Sequence, residues 1–221
     1  MAKKYTKKQI ISLTEEFVYK TMKDINTDVH GFRHVDRVRK WALKIGRAEG
    51  DVDLFLLEVS ALLHDIGRVN ETKKINHYIT GEKAARNFLK QLDYFSKEEV
   101  DRICAAVYGH GPGGKDRMIK ILQDADLLDA SGAAVIGRTF SFFADKPFYI
   151  DRNSFIFSNW TLAKTEKSYN TRPWARSVVD SLVYAYHLSK KCHTKTAKRI
   201  AGKNRSILKD YIKKLKEEMF N

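Results

Sequence analysis

Apolar residues recur along this chain at helical spacing. Ile10, Leu13/Thr14, Phe17 and Thr21 mark one side of a first helix, with Val18 and Met22 beside it. Val35, Val38, Trp41/Ala42 and Ile45 predict a second that ends near Gly46 to Gly50. Leu54, Leu57, Ala61 and His64 share one face of a third. A fourth is expected over residues 80–92, with Thr80 read as its cap. Ser96 and Glu99 have the spacing of a capping box and open a fifth helix carrying Val100, Ile103 and Val107, which the "GHGPGG" cluster at 109–114 stops. A sixth is expected over about 116–130. Two helices finish the chain: one follows Pro173, and one runs over 194–218, where Ile200, Ile207, Tyr211 and Leu215 alternate with many lysines. No stretch alternates well enough to predict a strand. The pattern therefore predicts an all-α bundle, with the last helix as a solvated lid.

Residues 140–160, "FSFFADKPFYIDRNSFIFSNW", are rich in Phe and Tyr but weakly periodic. They are expected to pack as an ordered loop, because large aromatics belong in cores more often than on stacking platforms. Length fits one domain: 221 residues are enough for a real hydrophobic core. Charge narrows the partners. Forty-one basic against 27 acidic residues leave +14, which favours anionic ligands such as nucleotides. Nucleic acid itself is not favoured, since no helix-turn-helix, zinc-finger or RNP-like signature accompanies the lysines. The basic start is followed by no apolar h-region, and no run is long and apolar enough for a bilayer. Two distant cysteines, Cys104 and Cys192, form no metal-type spacing, so the expected compartment is the reducing cytoplasm.

The chemistry lies where polar residues interrupt apolar faces. The buried-looking run "VSALLHDIGR" ends on His64 and Asp65, and neighbours at a helix end, about 100° apart, can straddle one ion. His34 sits on the inner side of the second helix and Asp126 on the apolar side of the sixth. Asp124, about 200° away from Asp126, should face elsewhere. Two carboxylates buried together are costly unless paired, and a divalent cation supplies the missing charge. Two imidazoles with two carboxylates suit Mn, Fe, Co, Ni or Zn better than an all-oxygen site would. The other reading of any one pair is a neutral hydrogen-bonded network.

His34, then His64-Asp65, then Asp126 resembles the H…HD…D signature of the HD-domain metal-dependent phosphohydrolases. The likeness covers roughly residues 29–139, through "HGFRHVDRV", "ALLHDIGR" and "LQDADLLDASGAAVIGRTF". In look it is closest to the small bacterial nucleotide pyrophosphohydrolases of that superfamily. The resemblance implies an all-helical domain whose metal ligands are His34, His64, Asp65 and Asp126, with His64 and Asp65 also catalytic. It implies hydrolysis of a phosphoester or phosphoanhydride bond, most simply of a nucleotide, by a water activated on the metal. Residues 140–221 would add the aromatic loop and C-terminal helices to the same single domain. Leu127 stands where that branch often has a basic residue. His77 and His110 resemble the additional histidines of two-metal subgroups, although His77 follows the HD pair closely. A second ion, a phosphate donor and a plain loop histidine all remain open for them. Arg68, Lys73, Lys74 and Arg138 are candidate phosphate contacts, with loop charge or ion pairing as the alternatives. A catalytically silent nucleotide sensor using the same metal site is the rival to the enzyme. Oligomeric state is not legible.

Overall fold

The computed structural model describes residues 5–25, 30–72, 74–142 and 178–220. Among them there is no strand, and the all-α expectation holds. The helices are α1 (Lys7–Met22), α2 (Phe32–Glu49), α3 (Leu54–Leu63), α4 (His77–Leu92), α5 (Lys97–Gly109), α6 (Arg117–Asp129), α7 (Ala133–Phe142), α8 (Val178–Leu188) and α9 (Lys195–Phe220). Short 3₁₀ turns cover Ile66–Asn70 and Ser189–Lys191. The chain divides into two compact units, Met1–Asp126 and Leu127–Asn221. No helix among the described residues is long and apolar enough to cross a membrane.

In the first unit, α3 is the hub. Leu56, Leu57, Val59, Ser60, Ala61, Leu62 and Leu63 are all buried, so most of this helix faces the interior, and its one charged residue, Glu58, pairs with Arg39. Each fully buried leucine contributes about 1.5–3 kcal/mol relative to leaving it in water. Asp53 starts α3 by accepting the Phe55 and Leu56 N–H groups at 2.9 and 3.1 Å. Helices α1, α2 and α5 pack around it, and α4 packs on α5 and on the 3₁₀ turn. A chain leaving α3 at its C-terminal end is therefore still inside the protein. That places His64 and Asp65 in the interior.

The capping boxes behave as their chemistry requires. Thr6 with Gln9 opens α1, and Ser96 with Glu99 opens α5 as expected from sequence. Helix α4 corrects an expectation. It begins at His77 with Asn76 as N-cap, three residues before the cap read at Thr80. Asn76 makes no side-chain cap hydrogen bond, so the usual signal is missing. The Thr80 hydroxyl instead donates to the Gly67 carbonyl at 3.0 Å, tying α4 to the 3₁₀ turn. Gly67 is needed there, because a Cβ on it would lie 2.0 Å from the His77 carbonyl oxygen and 2.3 Å from the Gly81 nitrogen. The backbones of the turn and of α4 thus touch directly.

The second unit packs α7, α8 and α9 together around Val135, Val178, Leu182, Ala185 and Leu208. Helix α7 is not anticipated by the apolar pattern, whereas α9 lies within two residues of its expected bounds. The aromatic segment from 143 onward and Pro173 lie outside the described residues, as does Lys73.

Candidate metal centre

Seven side chains of the first unit meet at the end of α3. His34 comes from the first turn of α2, His64 is the C-cap of α3, and Asp65 precedes the 3₁₀ turn. His77 is the first residue of α4, His110 is the C-cap of α5, and Asp126 lies in α6. His30 joins them just before α2.

Asp65 is at the middle, and its two oxygens face different neighbours. Oδ2 lies 3.6 Å from His34 Nε2, 3.9 Å from His64 Nε2 and 3.8 Å from His30 Nδ1. Oδ1 lies 3.3 Å from His77 Nε2 and 3.5 Å from His110 Nε2. His34 Nε2 is also 3.4 Å from His64 Nε2 and from Asp126 Oδ1. Three donor triads result: His34–His64–Asp126, Asp65–His77–His110 and His30–His34–Asp65. His64 and Asp65 are 0% and 1% exposed, whereas 38% of the Asp126 side chain is open. Asp126 is thus more open than the buried face expected for it. Asp124 is fully buried but belongs to none of these triads.

The tautomers tell what the rings can hold. His64 Nδ1 donates to the Ala61 carbonyl at 2.8 Å, and His110 Nδ1 donates to the Val107 carbonyl at 2.5 Å. A carbonyl only accepts, so Nδ1 carries a proton in both rings, and Nε2 offers a lone pair whenever the ring is neutral. His77 Nδ1 donates to the Glu71 carboxylate at 3.0 Å, with the same consequence. His77 Nε2 and His110 Nε2 then face each other 3.1 Å apart, beside a carboxylate oxygen. Three electron-rich atoms in contact repel unless a proton or a cation sits among them. Metal–ligand bonds of about 2.0–2.2 Å place neighbouring donors roughly 3.0–3.5 Å apart, close to the spacings here. The residues present therefore fit a divalent cation, and the N/O mixture favours a transition ion.

Electrostatics agree. Burial pushes the His64 imidazole down to about 4. Burial alone would raise Asp65, yet His64, hydrogen bonds from His110 and His30, and Arg68 hold its carboxyl well below the usual range. Burial opposes charge on His110, but Asp65 overcomes it and raises that ring. His77 is lowered, by burial first and then by Arg68. A pH dependence follows for the metal-free protein. His64 stays neutral when folded but charges when unfolded, so stability should fall as pH drops from about 6.5 to about 4, by on the order of 3 kcal/mol. Asp65 adds to the loss at still lower pH. His110, whose contribution is full below its unfolded value, offsets part of it. Denaturant midpoints with a chelator at pH 7 and pH 5 test this, and equal midpoints contradict it.

The outer candidates separate. Arg68 Nε donates to Asp65 Oδ2 at 3.0 Å and Nη1 to Glu71 Oε2 at 3.1 Å, so its fork is engaged by carboxylates. In the second unit Arg138 pairs with Asp129, the ion-pair alternative. Lys74 is exposed on the loop. Cys104 is buried and its thiol is pushed up to about 11 by burial, as suits inert packing. Glu71 is the residue that sequence reasoning passed over. The only trace it left was its place three residues after Arg68.

Residues 31–131 match the family model of the HD domain. That span contains His34, the His64-Asp65 pair and Asp126 in signature order. Residues 31–131 are an HD domain, the domain of the HD superfamily. In sequence it is similar to YpgQ of Bacillus subtilis, an uncharacterized protein, at 33% identity over 123 residues, which is 51% of this chain and 57% of that relative. The fold is similar to that of YpgQ crystallised in complex with ADP, with a TM-score of 0.73, 24% identity and coverage of 98% of both chains. It is likewise similar to an HD-superfamily hydrolase from Bacillus thuringiensis, with a TM-score of 0.70, 24% identity and coverage of 96% of this chain and 98% of that one. The HD family binds divalent metals, in keeping with the donor triads found here.

Proposed function

We propose that this HD-family chain is a nucleotide phosphohydrolase that works as one catalytic module, cleaving a phosphoester or phosphoanhydride bond with divalent metal. One observation carries the reading: His and Asp donors from five separate elements gather around one buried carboxylate, Asp65, at spacings that suit a shared cation. His34, His64, Asp65 and Asp126 would hold one ion. Asp65 Oδ1, His77 and His110 would hold a second, which favours the two-ion alternative for those histidines. A divalent ion bound there supplies Lewis-acid charge to a phosphoryl oxygen and lowers the pKa of a coordinated water.

The chain's own groups do the rest. Asp65, held ionised, accepts hydrogen bonds and orients the attacking water. Arg68 and Glu71 fix the side chains around it. The surplus of +14 draws an anionic substrate towards the protein. ADP in the similar YpgQ structure supports a nucleotide as the ligand class.

The test is a panel of ribo- and deoxynucleotides, mono- to triphosphates and dinucleoside polyphosphates, with Mn, Fe, Co, Ni or Zn, read as phosphate or pyrophosphate released. Metal-dependent release is expected. In the same preparations metal content should approach two per chain, and His110→Ala should lower it towards one. Tight nucleotide binding without turnover under every metal would make the protein a sensor instead.

A further inference from the structure

The 3₁₀ turn behind the HD pair closes a circuit of polar contacts. Arg68 Nε reaches Asp65 Oδ2 at 3.0 Å, and Arg68 Nη1 reaches Glu71 Oε2 at 3.1 Å. The other Glu71 oxygen, Oε1, accepts from His77 Nδ1 at 3.0 Å. His77 Nε2 then returns to Asp65 Oδ1 at 3.3 Å. Each carboxylate in this ring uses separate oxygens for its two neighbours.

The three histidines fix their tautomers in two ways. His64 and His110 stand at the C-terminal ends of α3 and α5, and each donates to the carbonyl three residues back. His77 is the first residue of α4 and has no turn of its own helix behind it. A side chain must supply the acceptor, and Glu71 does. We propose that Glu71 is the positioning residue that creates the second ion position. By holding the proton on Nδ1, it leaves His77 Nε2 as a lone pair aimed at Asp65 Oδ1 and His110. Packing does not account for it, because Glu71 lies in an exposed stretch with about a third of its side chain open (34%). Among the described residues its polar partners are Arg68 and His77, not His34, His64 or Asp126. An outer carboxylate of this kind fixes ring orientation and raises ligand basicity. The inference rests on the two-ion reading above and concerns only the second position.

The experiment titrates Mn(II) into the full chain by calorimetry and records the EPR spectrum of the loaded protein. Wild type should bind two ions and show a spin-coupled pair. Glu71→Ala should keep the first ion at unchanged affinity, weaken the second by roughly 10–100-fold, and lose the coupled signal at two equivalents. Glu71→Met, with no acceptor but similar bulk, should repeat this if the alanine variant folds poorly. Glu71→Gln, whose amide oxygen can still accept from Nδ1, should restore most of the second affinity. Two ions bound at wild-type affinity in both acceptor-less variants would overturn the inference alone, as would equal weakening of both positions. A wild type that saturates at one ion would overturn the two-ion reading, and the inference with it.

Discussion

Asp65→Ala is expected to abolish metal-dependent nucleotide hydrolysis and to strip metal from both proposed ion positions. Its two oxygens face different groups, so no other single side chain serves both. His34, His64 and Asp126 remain in the variant, but they lose the carboxylate nearest to their shared space. His77 and His110 keep their lone pairs 3.1 Å apart with no negative oxygen between them. Removing even an outer partner of a metal ligand typically costs 10–100-fold in affinity or activity, and losing the shared ligand should exceed that. Arg68 also loses the acceptor of its Nε, so Asp65→Asn separates lost charge from lost shape. Elemental analysis of the purified variant, beside product release from the nucleotide panel, checks the expectation. An Asp65→Ala protein that keeps full metal content and turnover would remove Asp65 from the centre of the mechanism.

Chelation should lower the melting temperature by on the order of 10 °C. An ion present at about 1,000 times its dissociation constant stabilises the folded state by about 4 kcal/mol. For a chain of this size, each kcal/mol moves the midpoint by about 2–4 °C. The source of the effect is specific: without a cation the lone pairs of His77 and His110 must share a space with Asp65. Adding back Mn, Co, Ni or Zn should restore the midpoint, and Mg should restore less, because an all-oxygen preference suits this N/O set poorly. A midpoint indifferent to chelator and to added ion would show that these side chains are settled by protons alone.

Much of this was legible in the sequence, for a physical reason. Helices α1, α2, α3, α5 and α6 bury regular apolar stripes, and a polar residue on such a stripe is conspicuous. His34, His64-Asp65 and Asp126 stand out in that way, and the structure brings them together. Helix α4 was harder. Its first turn exposes Ile79, and its cap makes no side-chain bond, so a second-ion ligand, a phosphate donor and a loop histidine all stayed open for His77. In fact the direct backbone contact at Gly67 is what lets so short a connection return to the centre. Asp124 was rightly separated from Asp126 by rotation, but its own burial was not foreseen. Glu71 and His30 left almost no signal, because a residue that acts on a ligand's far side needs no periodic position. Arg68 stayed open between phosphate contact and loop charge or ion pair, since its bond to Asp65 depends on a turn that no pattern announces.

The ends of α3 and α5 set an order of events. Each helix presents the negative pole of its backbone dipole, roughly half a charge, just where His64 and His110 project. Two such poles beside the Asp65 and Asp126 carboxylates would give the metal-free protein a local field that repels phosphate. An anionic substrate therefore meets an unfavourable potential until a cation has entered. The general positive surplus of the sequence would draw an anion close, but the local field would admit it only afterwards. For the proposed reaction this field would favour metal first and anion second.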